Sequence, residues 1–177
     1  TAMPSSRPTI VAPAARAARA ARAGGRSSRV MHPAELAELE AFRDLYAVAP
    51  APDGSIWGSS LGFPGGIVRL TPGAHPPETA LAEYFELPYG NPKAKDPGFS
   101  PRGMDIDRNG VAWVALASGH MASFDRRKCT GPLNGPTATG QHCPEGWTFY
   151  TEPLPQLKGV TESGSAEGSY YTWVDQF

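Results

Sequence analysis

A tryptophan-marked segment occurs twice in this chain, and it limits the folds that the chain can adopt. The segment PDGSIW at residues 52–57 returns as RNGVAW at residues 108–113, which is 56 residues later. Each copy is a polar turn followed by a short apolar run, a pattern that predicts a tight turn leading into a β-strand. A fixed period of tens of residues is typical of repeat architectures.

Alternating apolar and polar residues extend each copy into four predicted antiparallel strands. In the copy at residues 45–88 the predicted strands are Leu45–Ala49, Ser55–Ser60, Gly66–Leu70 and Leu81–Leu87. In the copy at residues 101–155 they are Gly103–Asp107, Val111–Ala117, Met121–Phe124 and Trp147–Thr151, with an insertion before the last strand. Four such strands make one blade of a β-propeller, so the predicted fold class is all-β of propeller type.

The aromatic and β-branched run Tyr170–Val174 predicts the opening strand of a third blade, which we place at residues 166–177. Propellers have about four to eight blades. We therefore expect this chain to be a fragment of a larger propeller, with residues 45–177 forming part of the ring.

The N-terminal residues differ in composition from the rest. Residues 1–31 contain six arginines and no acidic residue, which predicts a disordered basic tail. An organelle transit peptide or a segment that binds nucleic acid or anionic lipid is the alternative. Residues 32–44 predict a short helix, because Leu36, Leu39 and Phe42 recur on one face.

The charge of the residues after 34 and the hydropathy of the chain argue against a nucleic-acid ligand and a membrane span. After residue 34 the chain carries 10 basic and 17 acidic residues, which argues against nucleic acid as its main ligand. No apolar run reaches the roughly 18 residues that span a bilayer, so no transmembrane segment is predicted. The expected partners are a small molecule, a glycan or a protein at the propeller channel, together with the remaining blades.

The runs PDGSIW, GIVRLTP and EYFELP within residues 45–88 resemble the repeat of the virginiamycin B lyases, also called streptogramin lyases. The copy at residues 101–155 departs from that repeat, since Val114 and Ser123 replace its phenylalanine and arginine. The resemblance implies a propeller fold. It also implies either a binding scaffold of the bacterial envelope or a lyase that linearises a cyclic depsipeptide by elimination, using magnesium and a histidine base. Because the matching residues are structural ones, the resemblance assigns no catalytic residue, and no cofactor other than that magnesium is expected.

Cys129 and Cys143 bracket the insertion in the second copy. A disulfide between them would suit an oxidising compartment and predicts a periplasmic or extracellular protein. Free thiols, or half of a metal site with His142, are the alternatives, although the spacing fits no zinc pattern and no metal site is predicted.

Three further residues are candidates for chemistry. His120 begins a predicted strand and is a weak candidate for a catalytic base, with a packed histidine as the alternative. Asp105 and Asp107 alternate on one strand and could face a ligand or a hard cation. The alternative is that Asp107 caps the following turn and Asp105 is solvated.

The repeated glycines and tryptophans are interpreted as structural. Gly54 and Gly110 occupy the predicted turns, and Trp57 and Trp113 are expected to pack between blades. The aromatic residues of the predicted third-blade strand would either form a binding surface or pack within the sheet.

Overall fold

The computed structural model describes residues 45–94, 98–135, 137–153, 159 and 168–175, and this part of the chain is all-β. Its eight strands form two antiparallel sheets of four, each in sequential order. Sheet 1 contains β1 (Leu45–Pro50), β2 (Ile56–Ser60), β3 (Gly66–Thr71) and β4 (Leu81–Glu86). Sheet 2 contains β5 (Pro101–Ile106), β6 (Ala112–Leu116), β7 (His120–Phe124) and β8 (Trp147–Thr151).

The predicted turns form where the two repeats begin. Gly54 and Gly110 have φ values of 81° and 76°, in the left-handed region that glycine tolerates without a steric penalty. Their N–H groups donate to the carbonyls of Ala51 and Asp107 at 3.0 and 2.9 Å. Equivalent turns therefore start β2 and β6, and the eight strands predicted for the two repeats are confirmed with shifts of only a few residues at their ends.

The hydrophobic core lies between the two sheets. Phe124 of sheet 2 is fully buried, and its ring centroid lies 4.5 Å from that of Phe85 and 6.2 Å from that of Trp57, both in sheet 1. Trp147 contacts Phe124 from β8 at 5.0 Å. Because aromatic rings bury large apolar areas, this cluster contributes much of the free energy that holds the two sheets together.

The two repeated tryptophans have different surroundings. Trp57 is 2% exposed in the core, as predicted. Trp113 lies between the core residues Ala112 and Val114 along β6, so strand alternation directs it to the face of sheet 2 that points away from sheet 1. There it stacks on Tyr150 at 5.8 Å. The prediction that the tryptophans pack between blades fits Trp57, whereas among the described residues no further sheet lies against Trp113.

The insertion between β7 and β8, residues 125–146, is called the cysteine loop here. It contains the short 3-10 helices Arg126–Lys128 and Pro144–Gly146. The Sγ atoms of Cys129 and Cys143 lie 2.00 Å apart, which is disulfide distance and confirms the predicted pairing. The loop also reaches sheet 1, because the Glu86 N–H donates to the Gly140 carbonyl at 2.8 Å.

Removing this disulfide should destabilise the protein. The bond closes a loop between residues 14 apart, and the chain-entropy model assigns about 3 kcal/mol to a loop of this size. We expect the double variant Cys129→Ser/Cys143→Ser to lose about that much free energy of unfolding in urea titrations. Reducing agent should lower the stability of the parent chain by a similar amount and leave the variant unchanged. A loss under about 1 kcal/mol would contradict a role of this bond in stability.

The predicted strand at Tyr170–Val174 is wrong, since residues 168–175 contain no strand. The segment does lie beside β5, where the Gly103 N–H donates to the Tyr170 carbonyl at 2.7 Å. Farther along, the Val174 N–H donates to the carboxylate of Asp105 at 2.9 Å. The Asp105 side chain thus accepts the hydrogen bond that a backbone carbonyl would accept in a β-ladder. The predicted tail at residues 1–31 and the helix at 32–44 lie outside the described residues.

Candidate functional site: an arginine-lined cleft between the sheets

A cleft of about 420 Å³ opens between the two sheets at the end where both repeats turn. Its walls come from the β1–β2 turn, the β5–β6 turn, strands β2 and β3, and the start of the cysteine loop. Four arginines from these elements line it, and we call it the arginine cleft: Arg69, Arg108, Arg126 and Arg127. Asp53, Trp57, Asn109, Gly110 and Asp125 are also among the lining residues.

Glu83 anchors two of these arginines. Its side chain on β4 is fully buried and accepts hydrogen bonds from Arg126 Nε and Nη2 at 2.9 and 2.6 Å. Arg69 Nη1 donates to the same carboxylate at 3.0 Å. A buried carboxylate is tolerated only when it is paired and hydrogen-bonded, and both conditions are met here. Since Arg69 belongs to β3 and Arg126 to the cysteine loop, the ion pairs also join the two sheets.

Arg69 is fixed from several sides. It donates to Asp53 from Nη2 at 2.8 Å and to Thr71 from Nη1 at 2.9 Å, and its guanidinium lies 5.9 Å from the centre of the Trp57 ring. Burial disfavours its charge, but the hydrogen bonds that it donates to Asp53 and Glu83 outweigh that effect and raise the pKa of Arg69. The guanidinium therefore stays charged and has one defined position.

Asp53 is held in its ionised form. The Ser55 hydroxyl is the largest cause that lowers the pKa of Asp53 to about 2, against an opposing effect of burial. The Ser55 N–H and Arg69 lower it further. Ser55 in turn accepts a hydrogen bond from Trp57 Nε1 at 3.1 Å, so the turn, the cleft wall and the core are connected.

The other two arginines are more exposed. Arg127 donates from Nε and Nη2 to Asp125 at 2.8 and 3.0 Å, while 65% of its side chain remains accessible. These bonds are the largest cause that lowers the pKa of Asp125 and raises the pKa of Arg127. Within the described part of the chain, the Arg108 side chain has no hydrogen-bond or ion-pair partner. It is the free cationic group at the rim of the cleft.

His120 lies in the core rather than in the cleft. It is 2% exposed, its Nδ1 lies 3.1 Å from Ser118 Oγ, and its ring stands edge-on to Phe149 at 6.3 Å. This geometry matches the packed alternative. The catalytic role and the lyase activity stay predictions from the resemblance.

Asp105 and Asp107 have separate partners. Asp105 accepts from the N–H groups of Ile106 and Val174. Asp107 accepts from the N–H groups of Asn109 and Val111 at 2.8 and 2.9 Å, which is the predicted turn cap. It also accepts a hydrogen bond from the indole N–H of Trp113 at 3.1 Å. In the first repeat the indole N–H of Trp57 donates to the Ser55 hydroxyl instead.

The two aspartates do not fit the magnesium ion that the resemblance implies. Their oxygens already accept N–H hydrogen bonds, and they share no partner. In the described ranges, no group of three or more His, Cys, Asp or Glu side chains is placed to hold a metal ion. Likewise, no helix there is long and apolar enough to cross a membrane.

The role of Glu83 as the anchor of the cleft was not predicted, although the sequence carries one signal for it. Glu83 alternates with Phe85 along β4, so a carboxylate shares the face of a core aromatic residue. A charged side chain that alternation places on a buried strand face needs an ion-pair partner. Arg69 lies directly opposite Glu83 in the β3–β4 register. Arg126 is 43 residues away in sequence, and no local pattern links it to Glu83.

The aromatic residues of segment 168–175 form a second exposed feature. Trp173 is 80% exposed and stacks on Tyr171 at 5.6 Å, and Tyr171 in turn lies 6.1 Å from Tyr46 of β1. Arg102 covers the Tyr170 ring at 4.1 Å. Of the two predicted alternatives, a surface agrees better with this exposure than packing within a sheet.

A scan against protein-family models found no match to this chain, and a search of curated proteins found none either. The likeness to the virginiamycin B lyase repeat therefore depends on the repeated residues themselves.

Proposed function

We propose that this chain is part of a β-propeller-type binding scaffold that holds a small molecule in the arginine cleft. The observation that carries the proposal is the cleft itself, which has walls from both sheets and a charged cluster anchored by the buried Glu83. Its volume of about 420 Å³ falls within the range of ligand sites, about 300–1,000 Å³. Polar groups held in position at such a site supply orientation and specificity.

The propeller part of the proposal is supported by residues that are equivalent in the two sheets but differ in burial. Met104 on β5 is 6% exposed, whereas Val48, the matching residue on β1, is 61% exposed. Sheet 1 covers Met104, and no described element covers Val48 in the same way. On the opposite side of the pair, Trp113 lies on the outer face of sheet 2. The equivalent face of sheet 1 carries Trp57 and contacts the neighbouring sheet. Further sheets stacked in the same order would cover both faces, as in a propeller.

The proposed location is outside the cytoplasm, in the bacterial envelope or beyond it. The disulfide-distance pair Cys129–Cys143 supports this location, because such bonds persist in oxidising compartments.

The proposal is tested by nuclear magnetic resonance on the 15N-labelled full chain, titrated with a library of small molecules that includes anionic, neutral and cationic compounds. We expect at least one compound to shift the amide signals of Asn109, Gly110 and Arg127 together. The variant Asn109→Trp, which places a large ring at the cleft wall, should abolish the response.

Asn134→Trp is the matched control, because Asn134 also precedes a glycine with positive φ but lies exposed in the cysteine loop away from the cleft lining. It should leave the response intact. A library that moves no cleft amide, or moves mainly the signals of residues 168–175, would contradict a binding role for the cleft.

A further inference from the structure

One arginine of the arginine cleft has no carboxylate partner among the described residues. Four arginines line it, against three carboxylates that pair with them: Asp53, Asp125 and Glu83. Asp107 adds a fourth negative charge nearby, and its oxygens accept three N–H hydrogen bonds from its own turn and from Trp113 rather than bonds from the arginines. Arg108 is the arginine whose N–H donors no described side chain accepts.

Several arginine donors also remain open. A guanidinium has five N–H donors in a rigid plane. Arg126 uses Nε and Nη2 on Glu83, and Arg127 uses Nε and Nη2 on Asp125. The Nη1 group of each has no hydrogen-bond partner among the described residues. Together with Arg108, they leave three arginines on one cleft with donors for an incoming acceptor.

The cluster is already held in position. Arg126 is fixed by two hydrogen bonds to a fully buried carboxylate, and Arg69 is fixed by Glu83, Asp53 and Thr71. Groups that are ordered before binding lose little conformational entropy when the ligand arrives. Arg127 is likewise held by two hydrogen bonds to Asp125, whereas the unpaired Arg108 is ordered only when the ligand binds.

From this geometry we infer that the ligand of the arginine cleft carries an oxyanion, either a carboxylate or a phosphate group, that Arg108 and Arg127 bind directly. The planar fork of donors on arginine matches the oxygens of both groups. The inference rests on the proposed function of the cleft and names the ligand chemistry. Arg69 and Arg126 act as positioning residues through Glu83.

The test uses isothermal titration calorimetry on the full chain at low ionic strength, with inorganic phosphate and citrate as the probes. We expect at least one probe to bind, and Arg108→Gln/Arg127→Gln to weaken its affinity about tenfold or more, as expected for losing hydrogen bonds between charged groups. Affinity for phosphate alone identifies a phosphate-bearing ligand, and affinity for citrate alone identifies a carboxylate. Arg69 and Arg126 are left intact because their loss would expose the charge of Glu83.

Lys128→Gln is the matched control. Lys128 follows Arg127 directly and is exposed, but it does not line the cleft. Its replacement removes one positive charge from the same helix and should change the affinity less than about twofold, because exposed charges are screened. Single variants Arg108→Gln and Arg127→Gln, each checked by urea unfolding, separate loss of binding from loss of fold.

The inference is overturned if neither anion binds, or if Lys128→Gln weakens binding as much as the double variant. These results are distinguishable from failure of the proposed function. If neutral or cationic compounds shift the cleft amides while phosphate and citrate do not, the cleft is a binding site and the oxyanion inference alone is wrong. If no compound shifts them, both are wrong.

Discussion

Replacing Glu83 with glutamine should lower the free energy of unfolding by about 4 kcal/mol, since removing the shared carboxylate leaves Arg126 without its ion-pair partner and Arg69 with Asp53 alone. Arg69 and Arg126 would then share a neutral amide that offers one acceptor oxygen. The Arg69 side chain is only 12% exposed and cannot regain full hydration, whereas Arg126 is 32% exposed and recovers part of it.

The measurement is the urea midpoint and slope of the variant compared with the parent chain. Glu78→Gln is the control: Glu78 is exposed in the loop before β4, so its replacement should change stability by less than about 0.5 kcal/mol. Equal effects of the two substitutions would contradict the anchoring role of Glu83.

A second variant keeps this test informative if Glu83→Gln does not fold. The triple substitution Arg69→Met/Glu83→Leu/Arg126→Met removes all three charges and keeps similar side-chain volumes. Buried ion clusters replaced by apolar side chains often retain or gain stability. We expect the triple variant to fold with more stability than Glu83→Gln but to lose the preorganisation on which anion binding depends.

Replacing Phe124 with alanine should cost about 4 kcal/mol, the middle of the range for removing a buried aromatic side chain. Phe124 is fully buried and contacts Phe85, Trp57 and Trp147, so the substitution would leave a cavity between the sheets. Because the affected contacts join sheet 1 to sheet 2, both sheets should unfold in one transition at lower urea.

Trp173→Ala is the control for this prediction. It removes a larger side chain that is 80% exposed, and it should change stability by less than about 1 kcal/mol. Adding Phe85→Ala to Phe124→Ala should show an interaction energy of about 0.5–1.5 kcal/mol between the rings. A Phe124→Ala variant as stable as Trp173→Ala would show that the aromatic cluster does not join the sheets.

Local patterns predicted the strands well for a physical reason. Asp53-Gly54 and Asn109-Gly110 place glycine where the turn needs positive φ, and the runs that follow alternate with period two. Both signals act between residues close in sequence. The disulfide was also predictable, because two cysteines on either side of a Gly/Pro-rich insertion have few alternatives.

The same local patterns failed at Tyr170–Val174. That run has the aromatic and β-branched composition of a strand, but such composition forms a strand only where the tertiary contacts also support a ladder. Asp105 takes the Val174 N–H with its side chain instead. The aspartate was predicted to face a ligand or a cation, and its actual acceptor role depends on a segment 69 residues away.

The two four-stranded repeats and their turns were predictable from local sequence, because they follow from backbone conformation and short-range alternation. The packing of one sheet on the other places Trp57 in the core while Trp113 stacks on the outer face, and it brings Arg69 and Arg126 together on Glu83 beside a cleft. Equivalent residues acquire different surroundings when one repeat packs on the next. The resulting ion pairs and exposed faces depend on contacts between residues far apart in sequence, which no local pattern records.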